Sequence, residues 1–369
     1  MDINCAPDSP IMGARGEAGW APAGTALPRP AGRAVKAVFL GNAADYSPAF
    51  LAALVSRSLD SEDRVELAGV VCPQRFRNRR DAARFQLKRS AERVLAKWNV
   101  GTANLAGNGG PWRRMHLLAR QAGVPVLWPR TTSDPAVIDL VERSAADVIV
   151  VAGLDRILGA GTIAALPPIF NVHPSLLPAY RGGVPEFWQL AEGQTRGGVT
   201  IHRIDAGVDT GPVVARREFD IPAWFDAQEL LDASLEPGVA LMNELLDAYP
   251  DIIETPSPAG GGSYRPLPTD ADRAVPFEAP ARVVVNRARA VGWSAPLAIH
   301  VPAADWRQGT TTAAVGAPTS TTLTLRVRGP IPLAFGDGGP PGTIIRAGAG
   351  GVVIVCNPGA VLFRTVEVA

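Results

Sequence analysis

The residues best suited to chemistry lie in the stretch from Phe170 to Gly182. Asn171 and His173 are two positions apart, so an extended backbone would direct both side chains to the same side. The asparagine amide donates N–H hydrogen bonds, and histidine gains or loses a proton near neutral pH. The two side chains are therefore suited to bind one small group together and to stabilise charge on it.

A second polar cluster, residues 198–212, supplies a carboxylate. Its first half alternates as in a half-buried strand, and the sequence from Asp205 to Pro212 then predicts a tight, glycine-dependent loop. An aspartate held there beside a histidine would orient the ring and favour its cationic form. Asn171, His173 and Asp209 suit the addition of a nucleophile to a carbonyl, with the oxyanion bound by the first two and protons handled by the last two.

A mostly parallel sheet is predicted to position these residues. The apolar run from Ala146 to Leu154 has the β-branched density of a strand buried on both faces, and we place the motif directly after it. Strand and helix patterns alternate from Ala34 onwards. Because catalytic side chains of α/β sheets lie just beyond the strand ends, the sequence predicts a doubly wound, Rossmann-like α/β fold with the site at that edge.

The first strand and helix provide a second candidate site. The pattern predicts a strand over Ala34–Leu40, a turn at Gly41 and Asn42, and a helix with Ser47 as its N-cap and proline in the first turn. A strand, a glycine turn and a helix N-terminus form a natural anion site. A plain turn between strand and helix is the alternative, since one glycine is weaker than a phosphate-loop motif.

Composition divides the 369 residues into four predicted segments. Residues 1–33, rich in Gly, Ala and Pro, predict a disordered leader. Residues 34–254 would form the catalytic domain, and residues 255–276 a linker. Residues 277–369 combine one short helix with short strands separated by Gly and Pro turns, which predicts a smaller C-terminal, β-rich, barrel-like (OB-like) domain.

Charge and cysteine content exclude several classes of protein. A net charge of +1 argues against wholesale electrostatic capture of nucleic acid. Three cysteines far apart give neither a disulfide framework nor a C-x-x-C metal site. No apolar stretch reaches the length of a membrane span, so we predict a cytoplasmic protein without a membrane partner.

The two motifs resemble the signature of the folate-dependent formyltransferases. The residues that carry the resemblance are Asn171-x-His173-x-Ser175-Leu176-Leu177-Pro178 with Arg181-Gly182, followed by Asp209-Thr210-Gly211. This pattern is similar to the one shared by methionyl-tRNA formyltransferase, phosphoribosylglycinamide formyltransferase and the sugar N-formyltransferases, and the similarity extends over about residues 36–221. It implies that Asn171, His173 and Asp209 form a catalytic trio.

The resemblance also implies which residues bind the formyl donor, 10-formyltetrahydrofolate, and the acceptor. The expected folate-binding residues are Leu154, Asp155, Arg156, Ile157, Leu158, Ser175, Leu176, Leu177, Pro178, Asp205, Ala206, Gly207 and Val208. The expected acceptor-binding residues are Gly41, Asn42, Arg181 and His202. Arg181 could instead order its own loop, and His202 could be a core histidine. No metal is predicted, because His173, His202, Asp205 and Asp209 lack a compact ligand spacing.

Some sequence features favour a small-molecule acceptor and others favour tRNA. Pro174, His202 and the stretch Gly183–Trp188 depart from the pattern of the tRNA enzyme and favour a small-molecule amine, such as an aminosugar nucleotide or a secondary-metabolite amine. A basic segment between Arg75 and Lys97, together with the C-terminal domain, favours initiator methionyl-tRNA as the alternative acceptor. A solvated helix face is the other interpretation of that basic segment.

Two further functions are weighed against these. In a formyltetrahydrofolate hydrolase water would replace the amine, but that family carries a regulatory domain before the catalytic one, and the leader here is short and formless. A non-catalytic RNA- or nucleotide-binding module is the hypothesis from another class, and the intact trio argues against it.

Overall fold

The computed structural model describes residues 33–42, 46–73, 111–257, 262–291, 297–302, 322–333, 340–348 and 351–368. The strands are β1 (Val35–Leu40), β2 (Val65–Val71), β3 (Val126–Leu127), β4 (Val148–Ala152), β5 (Ile169–His173), β6 (Arg181–Gly182), β7 (Arg196–Arg203), β8 (Val213–Asp220), β9 (Tyr264–Arg265), β10 (Leu297–Pro302), β11 (Thr322–Leu333), β12 (Ile344–Gly348), β13 (Gly351–Val355) and β14 (Ala360–Val368). The helices are α1 (Ser47–Leu59), α2 (Pro111–Gln121), α3 (Pro135–Ser144), α4 (Ala160–Ala165), α5 (Pro185–Ala191), α6 (Ala227–Ala233), α7 (Leu235–Ala248), α8 (Asp270–Arg273) and α9 (Ala281–Val291).

The central sheet has the strand order β3-β2-β1-β4-β5-β7-β8. Strands β1 to β5 pair in parallel, whereas β7 runs antiparallel to both β5 and β8. The fully buried β4 has the apolar composition that a parallel strand covered on both faces requires. These pairings confirm the prediction of a mostly parallel α/β sheet.

Helices cover both faces of this sheet. Phe50 of α1 and Leu245 of α7 belong to the core on one face. Val137 and Val141 of α3 pack with Ile149 of β4 in the core on the other. Burying each such side chain contributes about 1.5–3 kcal/mol. Because both faces are occupied, polar chemistry is confined to the ends of the strands.

Two predictions about local structure are corrected. Tyr46, not Ser47, is the N-cap of α1. Ser47 is the first helical residue, and its hydroxyl donates to the Ala152 carbonyl at 2.6 Å, which ties α1 to the end of β4. The helical periodicity of residues 227–249 predicts one helix, but Ser234 divides it into α6 and α7 and donates its hydroxyl to the Leu231 carbonyl.

The catalytic motif lies on its own strand. The sequence placed it directly after β4, but α4 intervenes and Asn171 and His173 lie within β5, which pairs with β4. Strand β7 is buried throughout its interior rather than half-buried, because it lies between β5 and β8. The second motif therefore begins inside the sheet.

The C-terminal strands form a second sheet in the order β10-β11-β14-β13-β12, with every pair antiparallel. Val284 and Ala288 of α9 pack against Phe363 of β14, and α9 also contacts α5. A small C-terminal β region is thus confirmed, while its closure into a barrel and the domain boundaries stay predictions. The leader before Arg33 and the basic segment at 75–97 lie outside the described residues. Among the helices described, none is long and apolar enough to cross a membrane.

The described residues of the predicted linker, 255–257 and 262–276, form regular structure. Thr255 forms a bridge with Val213. Strand β9 pairs in parallel with β6, and the Thr269 hydroxyl caps α8. A segment that composition assigns to flexible chain is therefore hydrogen-bonded to the stretch that follows Asn171 and His173.

Candidate active site

Strands β5 and β7 bring the first three polar side chains together. Asn171 and His173 occupy alternate positions of β5 and share a face of the sheet. His202 of β7 is opposite Asn171 in the antiparallel register. The Asn171 Nδ2 atom is 3.1 Å from His202 Nε2, which is hydrogen-bonding distance.

Asp209 enters from the loop after β7 and faces both imidazoles. Its Oδ1 atom is 3.4 Å from His202 Nε2, and its Oδ2 atom is 3.7 Å from His173 Nδ1. Oδ2 also accepts the Gly182 N–H at 2.8 Å. The backbone of Asp209 has a φ of 51°, a left-handed conformation that Asp and Asn adopt more readily than most residues.

Backbone carbonyls orient both rings. His173 Nε2 donates to the Tyr180 carbonyl at 3.0 Å, and His202 Nδ1 donates to the Arg203 carbonyl at 3.0 Å. A carbonyl oxygen only accepts, so each of these nitrogens carries a proton. In the neutral rings the other nitrogen is then an acceptor. His202 Nε2 accepts from the Asn171 amide and thereby fixes which way that amide points.

Burial and charge set the protonation states of the pair. Burial alone would raise the pKa of Asp209, but the adjacent His173 and His202 imidazoles and the hydrogen bond from the Gly182 N–H hold that pKa well below its usual range. Burial lowers the pKa of His173, and this effect together with His202 outweighs Asp209 and the Tyr180 carbonyl, which raise it. The lowered pKa favours a neutral His173 at rest, whereas the sequence led us to expect that Asp209 keeps this ring cationic; Asp209 does act in that direction, and the catalytic role of the pair stays a prediction.

The first predicted folate-binding segment, 154–158, follows the end of β4 as irregular chain. Its apolar Ile157 side chain is 73% exposed, so it is available to contact a flat ring system. The second segment, 175–178, is partly internal. The Ser175 hydroxyl donates to the Ala179 carbonyl, and the Leu177 N–H donates to the Thr200 hydroxyl. Ser175 and Leu177 thus order the turn after β5.

The third predicted segment, 205–208, shapes the loop that carries Asp209. The Asp205 Oδ1 atom accepts hydrogen bonds from the Gly207 N–H and from the Thr210 hydroxyl. These bonds close the turn just before and after Asp209. A contact between this segment and folate stays a prediction.

The four predicted acceptor-binding residues differ in environment. Gly41 is buried, and its N–H donates to the Val71 carbonyl, while Asn42 is half-buried at the end of β1. Arg181 has a buried Nε atom without a hydrogen-bond partner among the residues described. His202 is 1% exposed and contacts Asn171 and Asp209. Acceptor contacts of all four stay predictions.

Sequence reasoning missed several residues around the site. Tyr180 and Gly182 act through backbone atoms, and only the position of Gly182 beside Arg181 in the motif gave a signal. Glu186 in the first turn of α5 is 4% exposed, and burial raises the pKa of its carboxyl to about 7 against the lowering effect of its own N–H. Across the described ranges, no group of three or more His, Cys, Asp or Glu side chains is arranged to hold a metal ion.

Comparisons with known proteins agree with this geometry. Residues 43–246, more than half of the chain, match the family model described as formyl transferase. Methionyl-tRNA formyltransferase from Deinococcus radiodurans is 34% identical over 254 residues, which cover 68% of this chain and 72% of that protein. The enzyme of the same name from Trichlorobacter lovleyi is 31% identical over 257 residues, covering 68% and 74%.

Solved structures show the same fold at low sequence identity. An N-formyltransferase from Helicobacter canadensis, crystallised with folinic acid and dTDP-3-aminofucose, aligns with a TM-score of 0.56 and 14% identity over 90% of this chain and 99% of that one. HypX from Aquifex aeolicus aligns with a TM-score of 0.53 and 16% identity over 90% of this chain and 44% of its own. The match to the family model and the identity to the curated relatives, together with the motifs around Asn171 and Asp209, show that this chain belongs to the formyl transferase family and is an enzyme that transfers formyl groups.

Proposed function

We propose that the protein transfers the formyl group of 10-formyltetrahydrofolate to the amine of a small-molecule acceptor, such as an aminosugar nucleotide or a secondary-metabolite amine. The observation that carries the chemistry is the meeting of Asn171, His173 and Asp209 at the end of β5, with separations of 3.1–3.7 Å along the chain of contacts through His202. An amide donor, an imidazole and a carboxylate at one point are what acyl transfer to an amine requires.

The folate donor supplies an activated formyl carbon when it is bound. The exposed Ile157 side chain and the irregular segment 154–158 are suited to hold its ring system beside the trio. The Asn171 amide retains an N–H that His202 does not use, and this donor would stabilise negative charge on the formyl oxygen. One oxyanion donor of this kind contributes on the order of 3 kcal/mol to the transition state.

His173 and Asp209 transfer the proton that the reaction moves from the amine to the folate nitrogen. The attacking amine must lose a proton as its bond to the formyl carbon forms, and the departing folate nitrogen must gain one. Neutral His173 can accept the proton that the amine loses. The Asp209 carboxylate, 3.7 Å from His173 Nδ1, stabilises the imidazolium as it forms. The proton then passes to the folate nitrogen, so the ring returns to its neutral state.

A small acceptor carrying an anionic group fits the first motif. Arg181 directly follows Tyr180 of the motif, and its buried Nε makes no hydrogen bond within the described part of the chain. A guanidinium that binds a phosphate through two parallel hydrogen bonds would satisfy that atom. The residues Pro174 and Gly183–Trp188, which depart from the tRNA enzyme, support the same choice of acceptor.

Initiator methionyl-tRNA is the second candidate acceptor. It is favoured by one specific observation: the relatives that are 34% and 31% identical over 68% of this chain are both named methionyl-tRNA formyltransferase. The C-terminal domain, which on sequence grounds favours this acceptor, is present as a five-stranded sheet.

Tetrahydrofolate release in the presence of an acceptor panel tests the proposal. The panel contains aminosugar nucleotides, the same aminosugars without phosphate, and charged initiator tRNA. We expect turnover with a nucleotide-linked amine, and we expect Arg181→Met to raise the KM for that acceptor about 10- to 100-fold, because a charged hydrogen bond is lost. The KM for the folate donor should stay unchanged, as should both constants in Arg143→Met, which alters an exposed arginine of α3. If charged tRNA is the one acceptor that supports turnover, the second candidate replaces the small-molecule acceptor. If none of the acceptors in the panel supports tetrahydrofolate release, both candidates are refuted.

A further inference from the structure

The catalytic loop, residues 178–183, is held by one residue of the predicted linker. Ser263 donates its N–H to the Pro178 carbonyl at 3.1 Å and accepts the Arg181 N–H on its own carbonyl at 2.8 Å. Its hydroxyl accepts the Tyr180 N–H at 2.9 Å. All three polar groups of Ser263 are therefore used on this short loop. We call residues 262–267 the strap.

Close backbone contacts keep the strap and the loop in register. A Cβ atom on Gly262 would lie 1.9 Å from the Pro178 carbonyl oxygen, and one on Gly182 would lie 2.2 Å from the Arg265 carbonyl oxygen. Both glycines have positive φ, 89° and 107°, which other residues rarely adopt. Neither position accepts a side chain without separating the two segments.

Side chains extend this contact. The Tyr180 hydroxyl donates to Glu192 at 2.9 Å, and Arg265 of the strap donates to the other oxygen of the same carboxylate at 2.7 Å. Trp188 of α5 donates its indole N–H to the Pro266 carbonyl. The strap is thus tied to α5 as well as to the loop, and Glu192, the residue that directly follows α5, bonds to both the loop and the strap.

The loop in turn orients both proposed proton-handling residues. The Tyr180 carbonyl accepts the Nε2–H of His173 at 3.0 Å, and the Gly182 N–H donates to Asp209 at 2.8 Å. These two backbone groups flank Arg181, whose N–H is bound to Ser263. Moving the loop would therefore move both contacts at once.

We infer that Ser263 is a positioning residue for formyl transfer, which aligns His173 and Asp209 by fixing the Tyr180 carbonyl and the Gly182 N–H. The inference rests on the proposed function in that it takes His173 and Asp209 as the residues that handle protons. Ser263 itself touches no reacting atom. Its role is to keep the imidazole and the carboxylate in a geometry that the sheet alone does not impose, since Asp209 comes from a loop.

Steady-state kinetics of three variants test this assignment. Ser263→Ala removes the acceptor of the Tyr180 N–H, and Ser263→Thr keeps a hydroxyl there. Thr269→Ala is the matched control, because it removes another hydroxyl of the same linker that caps α8 and does not contact the catalytic loop. We expect Ser263→Ala to lower kcat about 10- to 100-fold, as small misplacements of catalytic groups do, with both KM values unchanged. Ser263→Thr should recover most of this loss, and Thr269→Ala should retain full kcat.

Histidine NMR gives a readout that needs no acceptor. The chain has four histidines, and a His173→Gln variant identifies the ring of interest. His173 faces Asp209 and His202, and the Tyr180 carbonyl raises its pKa. Displacing that carbonyl in Ser263→Ala should therefore move the His173 titration to lower pH, while Thr269→Ala leaves it in place.

The outcomes separate the two proposals. Wild-type protein without activity toward any acceptor would refute the proposed function, and an unchanged His173 titration in Ser263→Ala would then refute the strap as well. An active wild type with equal kcat in Ser263→Ala would refute the positioning role alone. A parallel rise in both KM values without a change in kcat would also contradict it, since that pattern reports binding.

Discussion

Replacing Asp209 with Asn removes one negative charge from the site while preserving its shape. Asn adopts the left-handed backbone of this position, φ 51°, as readily as Asp does, so the loop is not strained. The amide oxygen can still accept the Gly182 N–H. What is lost is the attraction between the carboxylate and a His173 imidazolium 3.7 Å away.

The size of the effect follows from that distance. At an effective dielectric constant of about 20, opposite unit charges 3.7 Å apart attract each other by about 4.5 kcal/mol. The Asp209 side chain is 15% exposed, so solvent screens little of this attraction. Because the lowered pKa of His173 favours the neutral ring at rest, this attraction acts mainly in the transition state, in which the ring carries part of the positive charge. A loss of about 2–4 kcal/mol corresponds to a fall in kcat of about 30- to 1,000-fold.

Single-turnover and steady-state rates of tetrahydrofolate release measure this effect. We expect Asp209→Asn to lose kcat with little change in the KM for the folate donor, and to unfold thermally within a few degrees of wild type. A variant that retains more than a tenth of the wild-type kcat would show that the carboxylate does not stabilise charge on His173. The electrostatic part of the mechanism would then be wrong, although the family assignment would stand.

Two further predictions concern buried polar groups, His202 of the site and Glu186 of α5. His202→Leu removes the acceptor that fixes the Asn171 amide, so kcat should fall about 10-fold, consistent with a lost hydrogen bond of about 1–2 kcal/mol; full activity would show that Asn171 does not depend on this contact. Glu186 is an acid whose pKa is raised from 4.5 to about 7 in the folded protein. The folded state therefore holds a proton that the unfolded state releases, and stability falls as the pH rises from 4.5 to about 7. This costs about 3 kcal/mol at pH 8, from about 1.4 kcal/mol per pKa unit. Glu186→Gln should raise the melting temperature by about 4 °C at pH 8 and change it little at pH 4; an equal effect at both pH values would contradict this origin.

The elements that follow from local sequence were largely predictable. A continuous apolar run specifies β4, because a parallel strand is covered on both faces. Asp134 followed by proline specifies the start of α3, and its side chain does accept the Ala136 N–H. The short helix predicted in the C-terminal domain, at about residues 281–291, is α9 in the structure. In these cases the hydrophobic periodicity and the capping residue lie within a few positions of each other, so the sequence of the segment itself is enough to predict the helix or strand.

Other features depend on partners far away in the chain. The Ser47 hydroxyl has the chemistry of an N-cap but bonds to the Ala152 carbonyl, 105 residues away, a partner that only the sheet brings near. The linker composition likewise gave no sign of Ser263, whose hydrogen bonds reach back to Tyr180, 83 residues away. Spacing likewise reveals that Asp209 follows His173 in the second motif, but not the degree of burial that lowers the pKa of this ring.

The catalytic loop connects the two questions that the site raises, namely how formyl transfer occurs and which amine receives the group. Arg181, proposed to bind an anionic acceptor, lies between the Tyr180 carbonyl that orients His173 and the Gly182 N–H that bonds to Asp209. Binding energy from the acceptor anion would therefore act on the same backbone that aligns the catalytic pair. In such a site, part of the energy of a remote contact is expressed in kcat rather than in affinity alone. An aminosugar that lacks its phosphate should for this reason be a slow substrate even at saturation, which a pure binding pocket for the anion would not produce.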